Sequence, residues 1–248
     1  MEVKVFKDYA ELSKFAANRV LELIQAEPAG VYGLATGSTP LGLYAELIER
    51  KAELPDLSQI KTVNLDEYLG LELNHPQSYR YFMREKLFAG LGLKAEQSYF
   101  PRAEMKDPEE ARAAAREYEA KLQELGQRTV QILGLGENGH IGFNEPDSVF
   151  TAPTHLVDLT ENTIAANSRF FETEEEVPRQ AITMGMAGIF DSKEILLLVS
   201  GEQKRAAVQQ AVLGPVSPEL PASILQLHPN VKLLLDEAAA GDLLTKLK

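Results

Sequence analysis

The sequence predicts an α/β fold in one domain, with a parallel sheet sandwiched by helices. Short β-rich runs alternate with amphipathic helical stretches along all 248 residues. Several of those runs are continuously apolar, Ile195-Leu196-Leu197-Leu198-Val199 most clearly. An alternating strand has one wet face. A strand without polar positions is covered on both, as happens in parallel sheets layered between helices. No repeat, low-complexity tract or Pro/Gly-rich linker divides the chain, so residues 1–248 read as a single unit. Hydrophobic residues at 44% and charged residues at 25% suit a globular core of this size.

In chain order, strands are expected at 1–6, 31–35, 61–65, 129–135, 155–159, 194–200 and 231–235. Helices are expected at 8–25, 41–49, 76–88, 108–125, 162–171 and 202–212. In the first helix Leu12, Phe15, Ala16, Arg19, Val20 and Leu23 recur at helical spacing, so one stripe faces a core. Ligands of an open parallel sheet bind beyond the carboxyl ends of its strands, which directs attention to the residues just after each run.

Composition excludes several classes of function. Cysteine is absent, which removes disulfides, thiolate metal sites and cysteine nucleophiles and suits a reducing compartment. A net charge of -12 opposes nucleic acid and anionic membrane as partners, since both need a basic face. It does not oppose a small anion, which responds to a few local amides and cations. No basic stretch followed by an apolar run opens the chain, and no apolar run is long enough to cross a bilayer. A cytoplasmic location is the expectation.

After the run 31–35 come Thr36-Gly37-Ser38-Thr39-Pro40 and then a helix. Thr39 suits an N-cap and Pro40 the first helical position. Gly37 permits close backbone approach, while Ser38 and Thr39 add hydroxyls. Free amides at a helix N-terminus make a phosphate site, and a simple capped turn has the same composition, so both readings stand. No Gly-Lys-Ser/Thr ends the loop, so it is not a nucleotide P-loop. Asp66 ends the next run with Glu67 beside it. Such a carboxylate serves either as a proton-transfer base or as a solvated strand end.

Gly134, Gly136 and Gly139 spell G-x-G-x-x-G after the strand at 129–135, with Asp158 downstream where a ribose-binding acid would fall. A dinucleotide site needs a helix to begin at the third glycine, and Gly142, Asn144, Pro146 and Asp147 resist one. The glycines instead suit a tight loop presenting Asn138, His140 and Glu145. Histidine beside a carboxylate is a catalytic pair, because the acid fixes the tautomer and raises ring basicity. A zinc site on His140, Glu145 and His155 matches no familiar ligand spacing, and His75 and His228, each before proline, read as incidental. Arg169 precedes an acidic run. Lys204 opposes the macrodipole of the helix it begins, which suits either surface charge or a bound anion.

Taken in this order, five stretches resemble the glucosamine-6-phosphate deaminase family: 34–40, 64–68, 136–146, Asn167-Ser168-Arg169-Phe170-Phe171 and Leu225-Gln226-Leu227-His228-Pro229. The resemblance implies a modified Rossmann-like fold without a nucleotide cofactor or metal, and a small sugar phosphate as ligand. It implies that His140 opens the pyranose ring, held and polarised by Glu145 and Asn138, and that Asp66 carries the C2 proton to C1. It further implies that Gly37, Ser38, Thr39, Arg169 and Lys204 hold the phosphate, and that 155–183 forms a lid. Some family members have aspartate at the position of Asn138, and an amide cannot exchange a proton as an acid does, so orientation is the expected role here. Allosteric hexameric members carry basic residues where this chain has His155 and Val157, and a C-terminal extension beyond Lys248. No activation by N-acetylglucosamine 6-phosphate is therefore expected, and the oligomeric state stays open. Two other classes compete: a 6-phosphogluconolactonase, which leaves Asp66 without a task, and a sugar-phosphate-sensing regulator, which needs a basic DNA-binding segment this chain lacks.

Overall fold

Strands without a wet face need helices on both sides, and the chain is layered accordingly. The computed structural model describes residues 1–168 and 171–247. Its strands, in chain order, are β1 (Glu2–Phe6), β2 (Val31–Leu34), β3 (Lys61–Asn64), β4 (Asp66–Tyr68), β5 (Ser98–Tyr99), β6 (Val130–Gly134), β7 (His155–Asp158), β8 (Gln180–Thr183), β9 (Ile195–Val199) and β10 (Val231–Asp236). Its helices are α1 (Tyr9–Ala26), α2 (Leu41–Glu49), α3 (Tyr79–Met83), α4 (Ala89–Leu91), α5 (Pro108–Leu125), α6 (Glu161–Ser168), α7 (Met186–Phe190), α8 (Arg205–Leu213), α9 (Glu237–Ala240) and α10 (Leu243–Lys246).

Among the described residues seven strands form one parallel sheet, ordered β1-β10-β9-β6-β2-β3-β5. Sequence order runs outward in opposite directions from the central β6–β2 pair, through β3 and β5 on one side and β9 and β10 on the other. Such a reversal opens a crevice at the carboxyl ends of the two central strands. Every residue of β2 and β9 is buried, as their apolar composition requires. The core runs continuously from Leu12, Ala16 and Val20 of α1 across the sheet to Val208 and Ala211 of α8. No helix among the described residues is long and apolar enough to cross a membrane.

The strand expected at 155–159 does not join this sheet. β7 pairs antiparallel with β8, and β8 pairs antiparallel with β4, making a separate three-stranded sheet. The physical reason is burial: β7 is only partly covered, with Leu156 packed against a small cluster that includes Ala111 and Ala115 of α5, Val157 against another that includes Tyr68 and Phe143, and Asp158 exposed. A strand only partly buried on both faces belongs at such an edge rather than inside a sandwich. The helix expected from residue 76 begins at Tyr79 instead. There the Ser78 hydroxyl accepts the Tyr81 N–H at 3.1 Å, and the chain continues through a π-helical stretch, Arg84–Phe88, into α4.

α2 also departs from expectation. Its cap position is Pro40 and its first residue Leu41, with no side-chain cap of its own. Tyr9 of α1 does that work. Its hydroxyl accepts the Gly42 N–H at 2.8 Å and donates toward the Thr39 carbonyl at 2.8 Å. A tertiary contact thus satisfies the helix end that Thr39 was expected to cap.

A second tertiary contact secures the edge near Asp66. The buried Tyr118 hydroxyl of α5 lies 2.7 Å from the Asn64 carbonyl and 3.2 Å from the Tyr99 carbonyl, joining the ends of β3 and β5. Tyr118→Phe strands both acceptors away from water and should destabilise the protein by about 1–3 kcal/mol. Urea denaturation measures this, and an unchanged midpoint would contradict it.

Candidate active site

At the β2/β6 crevice the ends of four parallel strands meet. Residues after β2, β3, β6 and β9 line one cavity of ≈ 750 Å³, and Tyr79, Thr163, Ala165 and Asn167 close its remaining side. Of the residues singled out from sequence, Gly37, Ser38, Thr39, Asp66, Asn138, His140 and Lys204 all line it. Glu145 stands directly behind His140. Arg169 lies outside the described residues.

Two glycines bring the histidine loop into register. A Cβ on Gly136 would fall 2.4 Å from the His140 Nδ1 and Cε1 atoms, so the imidazole lies directly on bare backbone. Gly142 has φ +59, and its Cβ would be 3.4 Å from Asp66 Oδ2 and 3.1 Å from Thr183 Oγ1. A glycine there lets the loop turn and lie against the aspartate. The Asn144 amide holds the same loop from behind, donating to the Ile141 and Met184 carbonyls at 2.9 Å each.

His140 Nδ1 is buried and lies 3.4 Å from Glu145 Oε2, and the Glu145 side chain is only 7% exposed. Nδ1 faces the acid at ion-pair distance without a well-aligned hydrogen bond, which leaves Nε2 as the nitrogen for a ligand. Asn138 braces the pair, donating through Nδ2 to Glu145 Oε2 at 2.7 Å and accepting the His140 N–H at 3.2 Å. Burial pushes the Glu145 carboxyl up. The hydrogen bond and charge of His140, with hydrogen bonds from Thr163 and Asn138, outweigh it and hold the group at about 2.

The second acidic centre is shifted the opposite way. Asp66 is 5% and Glu67 6% exposed, with no cation paired to either among the described ion pairs. Burial, reinforced by the neighbouring Glu67 charge, holds Asp66 well above the usual carboxylate range. Burial also raises Glu67, to about 7, against the pull of amide N–H groups from Tyr79, Arg80 and Tyr68 at 2.8, 2.9 and 3.0 Å. Glu67 thereby anchors the start of α3, and α3 supplies the cavity wall at Tyr79.

The opposite end of the cavity suits an anion. Thr36 to Thr39 precede the N-terminus of α2, whose dipole favours negative charge. Lys204 faces it from the cap position of α8. That turn is fixed by Asp236 at the end of β10, which accepts the Gly201 N–H at 3.1 Å and the Ser200 hydroxyl. Arg205 is turned elsewhere, paired with Glu202 at 2.8 Å and donating to the Ala238 carbonyl at 2.7 Å.

Among the described residues no group of three or more His, Asp or Glu side chains could hold a metal ion. His155 lies on β7 with Nδ1 3.0 Å from the Pro153 carbonyl. His228 is buried, with Nε2 3.0 Å from the Ser192 carbonyl and Nδ1 accepting the Asn230 N–H, a tautomer suited to structure. Sequence reasoning missed Thr36, Tyr79, Thr163, Asn167, Ser200 and Gln203 as lining residues. The strand-end rule applied to β9 would have found Ser200 and Gln203, and a Thr-x-x-Thr helix start marks Thr163. Nothing local marks Tyr79.

The model of a family described as glucosamine-6-phosphate isomerases/6-phosphogluconolactonase matches residues 7–234. The chain belongs to this family. It is 46% identical to a glucosamine-6-phosphate deaminase of Clostridioides difficile, over 98% of this chain and 97% of that one. A glucosamine-6-phosphate deaminase of Thermoanaerobacter pseudethanolicus is 47% identical, over 97% and 94% of the two chains. Among solved structures, a monomeric glucosamine-6-phosphate deaminase superposes with a TM-score of 0.92 at 42% identity, covering 97% of this chain and 99% of that one. The 6-phosphogluconolactonase of Trypanosoma cruzi, covering 98% and 96%, has a TM-score of 0.79 at 19% identity and so shares the fold. The parallel sheet sandwiched by helices is the architecture of the family.

The raised Asp66 carboxyl has a consequence for stability. A carboxyl with its folded pKa above the unfolded value stabilises the fold while protonated and loses that contribution as pH rises through the folded pKa. Asp66→Asn, which cannot ionise, should therefore raise the melting temperature at neutral pH. The gain should vanish below about pH 3, where the acid is protonated in both states. Melting curves at the two pH values test this, and an equal gain at both would contradict it.

Proposed function

We propose that the chain is a glucosamine-6-phosphate deaminase, converting glucosamine 6-phosphate and water to fructose 6-phosphate and ammonia. One observation supports this above the rest: a buried aspartate and a carboxylate-backed histidine face a single cavity with an anion-binding end. The high identity of deaminase relatives over nearly the whole chain supports the same reading.

The amides and hydroxyls of Gly37, Ser38 and Thr39, with Lys204 and Arg169, hold the phosphate. That remote contact fixes the reacting end of the sugar. His140 takes the anomeric hydroxyl proton and returns it to the ring oxygen, which breaks the C1–O5 bond and leaves an aldehyde. Glu145 stabilises the imidazolium that forms in passing, and Asn138 keeps the pair aligned. Asp66 then removes the C2 proton, the electron pair forms the C1–C2 double bond, and the aldehyde oxygen takes a proton from the C2 ammonium, which gives a neutral enolamine.

Protonation at C1 by the same carboxyl gives a C2 iminium. Water adds there, and collapse of the carbinolamine expels ammonia and leaves the ketone. A carboxylate raised by burial is a stronger acceptor than an exposed one, as this abstraction requires. A substrate ammonium at C2 offsets the burial penalty and ionises Asp66 on binding. Residues 155–183 act as a lid over the site. β8 pairs with the strand that begins with Asp66 and β7 pairs with β8, so both ends are held in one sheet and closure falls to the segment between them.

Purified protein supplied with glucosamine 6-phosphate should release ammonia and fructose 6-phosphate in equal amounts, and Asp66→Asn should abolish this. Hydrolysis of 6-phosphogluconolactone without ammonia release would favour the lactonase instead. Lys204→Ala should raise KM several-fold with kcat little changed, as expected when uniform binding is lost. An unaltered KM would remove Lys204 from the phosphate site.

A further inference from the structure

Glu145 divides its two oxygens between two parts of the chain. Oε2 serves its own loop, through Asn138 at 2.7 Å and His140 at 3.4 Å. Oε1 serves α6, accepting the Thr163 hydroxyl and lying 3.3 Å from the Thr160 hydroxyl. Thr160 immediately precedes α6 and caps it by accepting the Thr163 N–H at 3.3 Å. Its single proton must choose between Glu145 and the Thr163 oxygen 3.2 Å away, so Thr163 is the firmer donor.

An ordinary helix cap needs Thr160 alone. A threonine in the first turn usually points its hydroxyl to water or to a local carbonyl. Thr163 does neither. It is 4% exposed, lines the cavity, and donates across to an acid 18 residues earlier in the chain. The bond joins the lid segment to the group that backs the catalytic imidazole.

We infer that Thr163, assisted by Thr160, is a positioning residue that ties α6 to the Glu145–His140 pair and fixes the carboxylate behind the histidine only while α6 is seated. This rests on the deaminase reading and goes beyond it. The tie is reciprocal: whatever seats α6 orders Glu145, and whatever orders Glu145 seats α6. A substrate whose phosphate draws the lid down therefore completes the ring-opening pair in the same motion.

Thr163→Val keeps the shape and removes the hydroxyl, while Thr163→Ser keeps the hydroxyl. In ammonia release, Thr163→Val should lower kcat about tenfold or more with KM nearly constant, and Thr163→Ser should restore most of it. In hydrogen exchange on the unliganded protein, residues 160–168 should exchange faster in Thr163→Val and at the wild-type rate in Thr163→Ser. The inference is overturned if Thr163→Val matches wild type in either readout, if KM alone changes, or if Thr163→Ser fails to rescue. If wild type itself releases no ammonia, the deaminase reading fails, and exchange alone decides whether Thr163 holds α6.

Discussion

The approach of Asp66 to the backbone of Gly142 is the constraint on which the site depends. A carboxylate buried against a loop is unfavourable unless the surroundings leave it no other place. Here the surroundings are two sheets that meet at one residue. β3 delivers the chain to Leu65 from the parallel sheet, and Asp66 opens β4 of the antiparallel sheet opposite Thr183. Thr183 in turn accepts the Phe143 N–H at 3.1 Å, so one side chain spaces the aspartate strand from the histidine loop. The cost of the buried acid is borne by the whole crossing of sheets. This is why its environment can be held so far from that of ordinary carboxylates.

Charge is handled locally rather than globally. A chain with a net charge of -12 still builds an anion-binding end. There the amides at the start of α2 face Lys204, and acidic neighbours such as Asp236 are occupied with backbone N–H groups. Tyr9 contributes from outside the cavity by capping α2. Because a phenol from α1 satisfies the first turn, the Thr39 side chain is not required for the helix, and its position in the cavity wall is consistent with ligand binding.

Much of this was legible in the chain itself. The uninterrupted apolar runs read correctly as strands covered on both faces, and the strand-end rule pointed to residues 37–39, 66 and 136–145. Less legible were elements whose existence rests on distant partners. β4, β5 and β8 have between two and four residues, too few for periodicity to register, and each is a strand only because another lies beside it. β7 read as one more member of the parallel sheet because four residues cannot reveal how completely a strand will be buried. Tyr79 reaches the cavity through the anchoring of α3 by Glu67, a contact across 12 positions that no local pattern encodes. The Thr163 bond to Glu145 is hidden for the same reason.

The two acidic centres also explain each other. Asp66 and Glu145 are both shielded from water, yet one is raised and the other lowered, because Glu145 has the His140 imidazole against it with Thr163 and Asn138 donors on its two oxygens, while Asp66 has the Glu67 charge beside it. Groups pushed apart in this way divide the labour of proton transfer. A permanently ionised acid is a poor acceptor and a good brace, so Glu145 belongs behind the imidazole. A carboxyl raised well above the usual carboxylate range by burial can gain and lose a proton within one turnover, so Asp66 belongs at the carbon. Exchanging their environments while keeping both residues would leave the same composition and remove the chemistry. What the fold supplies is therefore less the carboxylates than their unequal neighbours, an imidazole with hydroxyl and amide donors at one and a second buried acid at the other.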